Sequence, residues 1–130
     1  MNSQTQHILV VEDDSVQRNV VSFNLAKAGF RVTVAADVTC ALKLVEHEHF
    51  DLIITDYYLP DLTGTDFVEK LRKIEEYAGT PVIFLTGRAK ELNQEYLHDS
   101  LSALVVSKPY NVAQLMNIVS ECLLAAHDVV

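Results

Sequence analysis

The sequence predicts an α/β fold of one domain, a doubly wound parallel sheet of five strands with five helices. Three observations lead there. Short apolar runs rich in β-branched residues recur along the chain, and each is followed by a stretch with helical periodicity. Strands and helices alternating at this spacing imply parallel pairing, right-handed crossovers and helices on both faces of the sheet. Acids, a hydroxyl and an ammonium follow directly after four of the apolar runs, which puts them at the carboxyl ends of strands, where open α/β sheets bind ligands.

The first strand is Ile8-Leu9-Val10-Val11, followed by Glu12-Asp13-Asp14. Ser15 or Asp14 can cap the first helix, whose Val21, Leu25 and Ala28 fall at i, i+4 and i+7, with Gly29 placed to stop it. Residues 30–35 form a shorter second strand. Asp37 caps a helix carrying Ala41, Leu44 and Val45 as far as the stretch 47–49. The central strand, Leu52-Ile53-Ile54-Thr55, runs into Asp56 and a loop containing Pro60 and Gly64. A helix from about Thr65 places Phe67, Leu71 and Ile74 on one stripe and ends near residues 77–79. Pro81 opens the fourth strand, where its missing N–H is tolerated, and the strand delivers Thr86. Residues 90–99 read as a helix with Leu92, Tyr96 and Leu97 facing inward. The fifth strand, Ala103-Leu104-Val105-Val106-Ser107, delivers Lys108 and Pro109, and the last helix runs from Val112 to about His127.

Composition bounds the function. The 130 residues, 49% of them hydrophobic, suffice for one sizeable core, with an expected structured part of about 7–127 and no output domain in this chain. Ten Lys and Arg against 18 Asp and Glu give a formal charge of −8, and no basic cluster tracks a phosphate backbone, so direct nucleic-acid binding is not expected. No apolar run approaches the roughly 20 residues of a membrane span. The opening Met-Asn-Ser-Gln-Thr-Gln lacks a signal-peptide pattern, so a cytoplasmic location is expected. Met1 favours a native amino terminus, while a stand-alone regulator and a domain of a longer protein both stay open. Cys40 and Cys122 are expected to be reduced core residues. His7, His47, His49, His98 and His127 show no metal-ligand spacing. Dinucleotide and Walker-type glycine motifs are absent.

Asp56 alone could simply start a turn, but a second acidic strand end changes its meaning. Three adjacent carboxylates at residues 12–14 repel one another, so one is expected to serve as a helix cap and the others to need a cation. Two carboxylates from one strand end and one from another, completed by water, suit Mg²⁺. Lys108 and Thr86 add an ammonium and a hydroxyl to the same edge.

With Val-Val-Glu-Asp-Asp, Ile-Ile-Thr-Asp-x-x-Leu-Pro-x-x-x-Gly, Leu-Thr-Gly and Ser-Lys-Pro-Tyr in this order, the chain resembles the receiver domain of two-component response regulators over essentially its whole length. The resemblance implies a flavodoxin-like sheet of order 2-1-3-4-5. It implies that Asp56 takes a phosphoryl group from a phosphohistidine of a sensor histidine kinase or histidine phosphotransfer protein. Glu12, Asp13, Asp56 and the Tyr58 carbonyl would hold Mg²⁺, Lys108 would pair with a phosphoryl oxygen, and Thr86 would hydrogen-bond another. A cis Lys108–Pro109 bond is expected by the same analogy. Such a protein catalyses its own phosphorylation and dephosphorylation without turning over an external substrate.

The alternative is a pseudo-receiver, an interaction module that keeps the fold without phosphorylation; the intact Glu12, Asp13, Asp56, Thr86 and Lys108 argue against it. An aspartyl phosphatase would want a second aspartate two residues after the first, where Tyr58 stands. Two departures from the family pattern bear on output. Val105 replaces the usual Tyr or Phe three residues before Lys108, and residues 99–103 lack the usual Gly-Ala turn, so the end of the fourth helix is expected to differ in shape. Signalling is expected to run through residues 87–89 and the fourth helix to a downstream protein target. The last helix, with Leu115, Ile118, Val119, Cys122 and Leu123, is the expected partner or homodimer face.

Overall fold

The computed structural model describes residues 5–128, which form a five-stranded parallel sheet in the order β2-β1-β3-β4-β5. The strands are β1 (His7–Val11), β2 (Arg31–Ala35), β3 (Leu52–Asp56), β4 (Val82–Thr86) and β5 (Ala103–Ser107). Between and after them run α1 (Ser15–Lys27), α2 (Val38–His47), α3 (Gly64–Arg72), α4 (Gln94–Leu101) and α5 (Val112–Asp128). Alternate strand residues serve opposite faces. Leu9, Val11, Ile53 and Phe84 pack against α2, α3 and α4, whereas Ile8, Val10, Ile54 and Ile83 pack against α1 and α5. Residues 8–11 and 52–55 are buried throughout because β1 and β3 lie inside the sheet and are covered on both faces.

Helix starts follow the expected capping chemistry. Asp14 rather than Ser15 caps α1, accepting the Gln17 N–H at 3.0 Å, and Asp37 caps α2 through the Cys40 N–H at 2.8 Å. Gly29 ends the first helix with φ of 101°. Ala28 is an exposed C-cap rather than a core residue, and Phe30 precedes β2 instead of belonging to it.

The third and fourth helices depart most from the sequence expectation. α3 stops at Arg72, and a 3₁₀ turn over Glu75–Tyr77 buries the Tyr77 ring. The guanidinium of Arg72, the last residue of α3, bridges the segments around this stop. It donates to the carbonyls of Tyr77 (2.7 Å), Thr80 (2.6 Å) and Leu101 (2.7 and 3.0 Å), so α3, the approach to β4 and the end of α4 share one clamp. The stretch 90–99 is split between a 3₁₀ turn at Ala89–Glu91 and α4. Leu97 and Leu101 are buried there, but Tyr96 faces outward and its hydroxyl donates to Glu69 at 2.9 Å. Ser102 ends α4 in the left-handed conformation, φ 55°, at the position where a glycine would be strain-free.

Cys40 and Cys122 are free thiols, as expected, yet Cys40 is exposed: it lies in the first turn of α2, away from the face carrying Ala41 and Val45. The Lys108–Pro109 peptide is cis. Among the described residues no helix is long and apolar enough to cross a membrane.

Candidate functional site

Strand register assembles the site. Val11 lies opposite Thr55, so Glu12 and Asp13 emerge beside Asp56 at the carboxyl edge. Asp56 lies opposite Leu85 and Thr86 opposite Ser107, which brings Thr86 and Lys108 to the same edge. The Lys108 N–H donates to the Thr86 carbonyl at 2.8 Å and locks that neighbourhood.

One oxygen from each of Glu12, Asp13 and Asp56 lies within 4.8 Å of the others. Glu12 is buried, Asp56 half-buried and Asp13 exposed, so the cluster is a recess open on one side. Asp14 is turned away as the α1 cap, which resolves the triple-acid run as expected. The Lys108 ammonium stands 3.1 Å from Glu12 Oε1 and 3.5 Å from Asp56 Oδ2, and it donates to Gln17 Oε1 at 2.7 Å. Burial pushes the Glu12 and Asp56 carboxyls up, more than their hydrogen bonds and Lys108 pull them down. Burial works against the charge on Lys108, but Asp56 and Glu12 outweigh it and hold the ammonium above its usual range. Crowded, partly dehydrated carboxylates facing the Lys108 ammonium make an oxygen-only donor set suited to a hard divalent ion.

Thr86 is buried, and its hydroxyl oxygen accepts the Arg88 N–H at 3.0 Å. Tyr58 stands on the loop after Asp56, in an isolated antiparallel bridge with Thr63, and its ring is partly exposed. The Arg88 guanidinium lies 4.6 Å from the centre of that ring, a cation–π contact that joins the loops after β3 and β4. The loop after β3 turns back tightly, the Gly64 N–H donating to the Tyr57 carbonyl at 2.7 Å. A Cβ on Gly64 would come 2.4 Å from the Phe84 ring, so only glycine fits that approach. Val105 is partly buried against the α2–α4 face of the core.

All six residues singled out in the sequence lie at this edge. Three contacts were missed. Gln17 reaches Lys108; Arg18 donates to the carbonyls of Glu12 (2.9 Å) and Asp13 (3.4 Å); Arg88 covers Tyr58. The first two lie in the opening turn of a helix that starts directly after the acids, a position that could have nominated them.

The opposite, amino edge holds a different charged group. His49 is bonded to Glu76 and lies 3.3 Å from Asp51, while His7 contacts Thr33 Oγ1 at 2.7 Å and lies 3.8 Å from Glu48. Glu76 chiefly raises the His49 pKa, whereas burial and then Arg31 lower that of His7. Among the described residues only Glu12, Asp13 and Asp56 converge closely enough to hold a metal.

The response regulator receiver domain family matches residues 8–120. The chain belongs to this family. This receiver domain is 32% identical over 113 residues to the probable transcriptional regulator ycf29 of Porphyra purpurea, covering 87% of this chain and 54% of that protein. It is 40% identical over 78 residues to the two-component response regulator ORR8 of Oryza sativa subsp. indica, covering 59% of this chain and 64% of that protein. The matched region thus spans about half to two thirds of those relatives. Among solved structures it resembles the chemotaxis response regulator CheY4 of Vibrio cholerae, with TM-score 0.83, 32% identity and coverage of 92% of this chain and 99% of that one. The receiver domain of the sensor histidine kinase PA1611 of Pseudomonas aeruginosa PAO1, with a magnesium ion in its active-site cleft, superposes with TM-score 0.82 at 31% identity, covering 92% and 98% of the two chains. The sheet order and five helices agree with the resemblance read from the sequence.

Proposed function

We propose that this receiver domain is a phosphoacceptor switch in which Asp56 takes a phosphoryl group from a phosphohistidine of a sensor kinase or phosphotransfer protein. The observation that carries the reading is the convergence of Glu12, Asp13 and Asp56 opposite a single lysine. Glu12, Asp13, Asp56 and the Tyr58 carbonyl would hold Mg²⁺, which when bound supplies the positive charge that the acids lack and that a phosphoryl group needs.

The chain's own groups divide the remaining work. An Asp56 oxygen attacks phosphorus in line, a P–O bond forms as the P–N bond of the phosphohistidine breaks, and the electron pair leaves with the imidazole. Lys108 is placed to follow the new phosphoryl oxygens, since it already stands beside Asp56 Oδ2. The Thr86 hydroxyl accepts from Arg88, so its own proton is available to a phosphoryl oxygen. Tyr58 follows Asp56 by two residues and its ring contacts Arg88; a ring leaning over the acyl phosphate would obstruct the attacking water, so we expect slow self-dephosphorylation. Phosphorylation then acts by changing which conformation is populated, through residues 87–89 and α4. A pseudo-receiver would need none of this set intact.

Two apolar surfaces are available for protein partners. On α5, Leu115, Val119 and Leu123 are buried, leaving partly buried Ile118 and Cys122 beside exposed Leu124 and Leu104. That remainder supports the expected target or homodimer face less fully than the five apolar residues alone would. α1 exposes Val16, Val20 and Phe23, and Val20 and Gln17 line a groove with Lys108, Pro109 and Tyr110 beside the recess. This is where the phosphoryl donor would dock, in the cytoplasm where such kinases present their phosphohistidine.

The test is incubation with Mg²⁺ and acetyl phosphate followed by intact mass. One phosphoryl group is expected; no mass increase with Mg²⁺ bound would favour the pseudo-receiver.

A further inference from the structure

The geometry points to Asp61 as a positioning residue that ties the phosphoacceptor loop to the acidic turn through the start of α2. Asp61 lies on the loop after β3, beyond Pro60 from Asp56, and is exposed. Its carboxylate accepts the N–H of Val38 (3.1 Å), the N–H of Thr39 (2.9 Å) and the Thr39 hydroxyl (2.8 Å), all from the first turn of a helix 22 or 23 residues earlier. One of its oxygens also accepts the Leu62 N–H at 3.0 Å, which orients the side chain within its own loop. Burial would raise this carboxyl, yet the Thr39 and Val38 donors lower it to about 2, so it stays ionised across the working range.

These bonds close a ring. Glu12 donates its N–H to the carbonyl of Ala35 at 3.0 Å, fixing the acidic turn to the end of β2. Ala35 leads through two residues into Val38 and Thr39, which are held by Asp61. From Asp61 the chain returns through Tyr58, which pairs with Thr63, to Asp56. The two halves of the carboxylate recess come from different strands, and Asp61 links them through the start of α2. Ordinary capping does not require this arrangement, because Asp37 already caps α2 from its own N-cap position through Cys40. A second carboxylate brought from another loop fixes a distance between elements, as outer contacts that orient metal ligands do.

The inference rests on the proposed Mg²⁺ site, and the experiment separates the two. Mg²⁺ affinity is measured by calorimetric titration of the full chain for wild type, Asp61→Ala, Asp61→Asn and Asp37→Ala, with melting temperature and hydrogen exchange at the Val38 and Thr39 amides measured in parallel. Asp61→Ala is expected to weaken Mg²⁺ binding about tenfold, the lower end of the range for losing an outer contact. Asp61→Asn, which keeps one accepting oxygen, should fall between it and wild type. Asp37→Ala should lower the melting temperature while leaving the Mg²⁺ affinity within about twofold of wild type, since the Asp37 side chain caps α2 through Cys40 and makes no bond to the loop after β3. Unaltered affinity in folded Asp61→Ala would overturn the inference. So would equal losses in Asp61→Ala and Asp37→Ala, which would reduce Asp61 to helix stabilisation. Failure of the wild type to bind Mg²⁺ would instead break the proposed function.

Discussion

The two edges of the sheet both gather charged side chains, yet they do opposite things with them. At the amino edge each acid has a partner: Glu76 and Asp51 flank His49, Glu48 stands near His7, and Asp51 also accepts the His7 backbone N–H at 2.8 Å. At the carboxyl edge three acids converge on one another with a single ammonium opposite. The amino-edge acids are spread over separate imidazole and backbone partners, and among the described residues no three of them converge as at the other edge. The carboxyl edge is left short of positive charge in a partly dehydrated recess, where like charges interact most strongly. Unbalanced charge held in place by strand ends, rather than acidity as such, separates a site from a solvated or self-paired surface.

The sharpest way to break this contrast is at Asp56. Asp56→Asn should abolish the Mg²⁺-dependent phosphoryl mass increase while keeping the fold, because the amide is nearly isosteric and relieves crowding. Phosphate found on Asp13 or Asp61 in that variant would sink the assignment. Next in size is the metal response. Because burial raises Glu12 and Asp56 above their unfolded values, their contribution to stability is fullest in acid and is lost as pH rises through the folded values. The metal-free protein therefore carries a cost at neutral pH that Mg²⁺ should offset. At one hundred times its Kd, a ligand stabilises by about 2.7 kcal/mol, roughly 10 °C of melting temperature in a domain of this size. Asp13→Ala should shrink that shift and Asp51→Ala, at the amino edge, should not; equal responses would erase the distinction between the edges.

A smaller effect is expected at the Tyr58–Arg88 contact. Tyr58→Gly should speed loss of the phosphoryl group by several-fold, and Arg88→Ala, which removes only the guanidinium over the ring, by less. An unchanged or slower rate followed by intact mass would show that the ring does not stand in the water's path. Smallest of all is the amino edge. Glu76 raises the His49 pKa from its ordinary 6.5, so this pair stabilises the protein below that value and the contribution is lost as pH rises through the folded pKa. His49 is exposed, so His49→Gln should flatten the melting profile in that window by less than about 1 kcal/mol. A larger change would mean that the amino edge is more than a paired surface.

Much of the fold could be read from the sequence because its punctuation is local. β-branched runs, Asp14 and Asp37 as caps, and Gly29 as a stop act within a few residues of themselves. The acidic recess was legible for a related reason: in a parallel sheet every strand ends on the same edge, so residues following the strands must meet. What escaped depended on contacts between distant segments. Tyr96 looked like a core residue by spacing, but the break at Leu92 and Asn93 resets the helical phase and turns its ring toward Glu69. The Arg72 clamp could not be foreseen from residues 29 positions away. Gln17, Arg88 and Asp61 likewise act across elements, and polar surface residues carry no periodicity to announce them. Val16, Val20 and Phe23 of α1 recur at the same helical spacing as its buried stripe, so periodicity alone does not distinguish the exposed face.

The Arg72 clamp has a mechanical consequence for how a signal can travel. Its guanidinium fastens the last carbonyl of α4 to α3 and to the approach of β4, using several hydrogen bonds that a lysine could not reproduce in that planar arrangement. The other end of α4 joins the site through a short 3₁₀ turn and the bend at residues 92–93. A rod anchored at one end and jointed at the other cannot slide along its axis; it can only swing. In the proposed switch, displacement begun at Thr86 would therefore grow toward the amino end of α4 and fade toward Leu101, with Arg72 as the fulcrum of the lever.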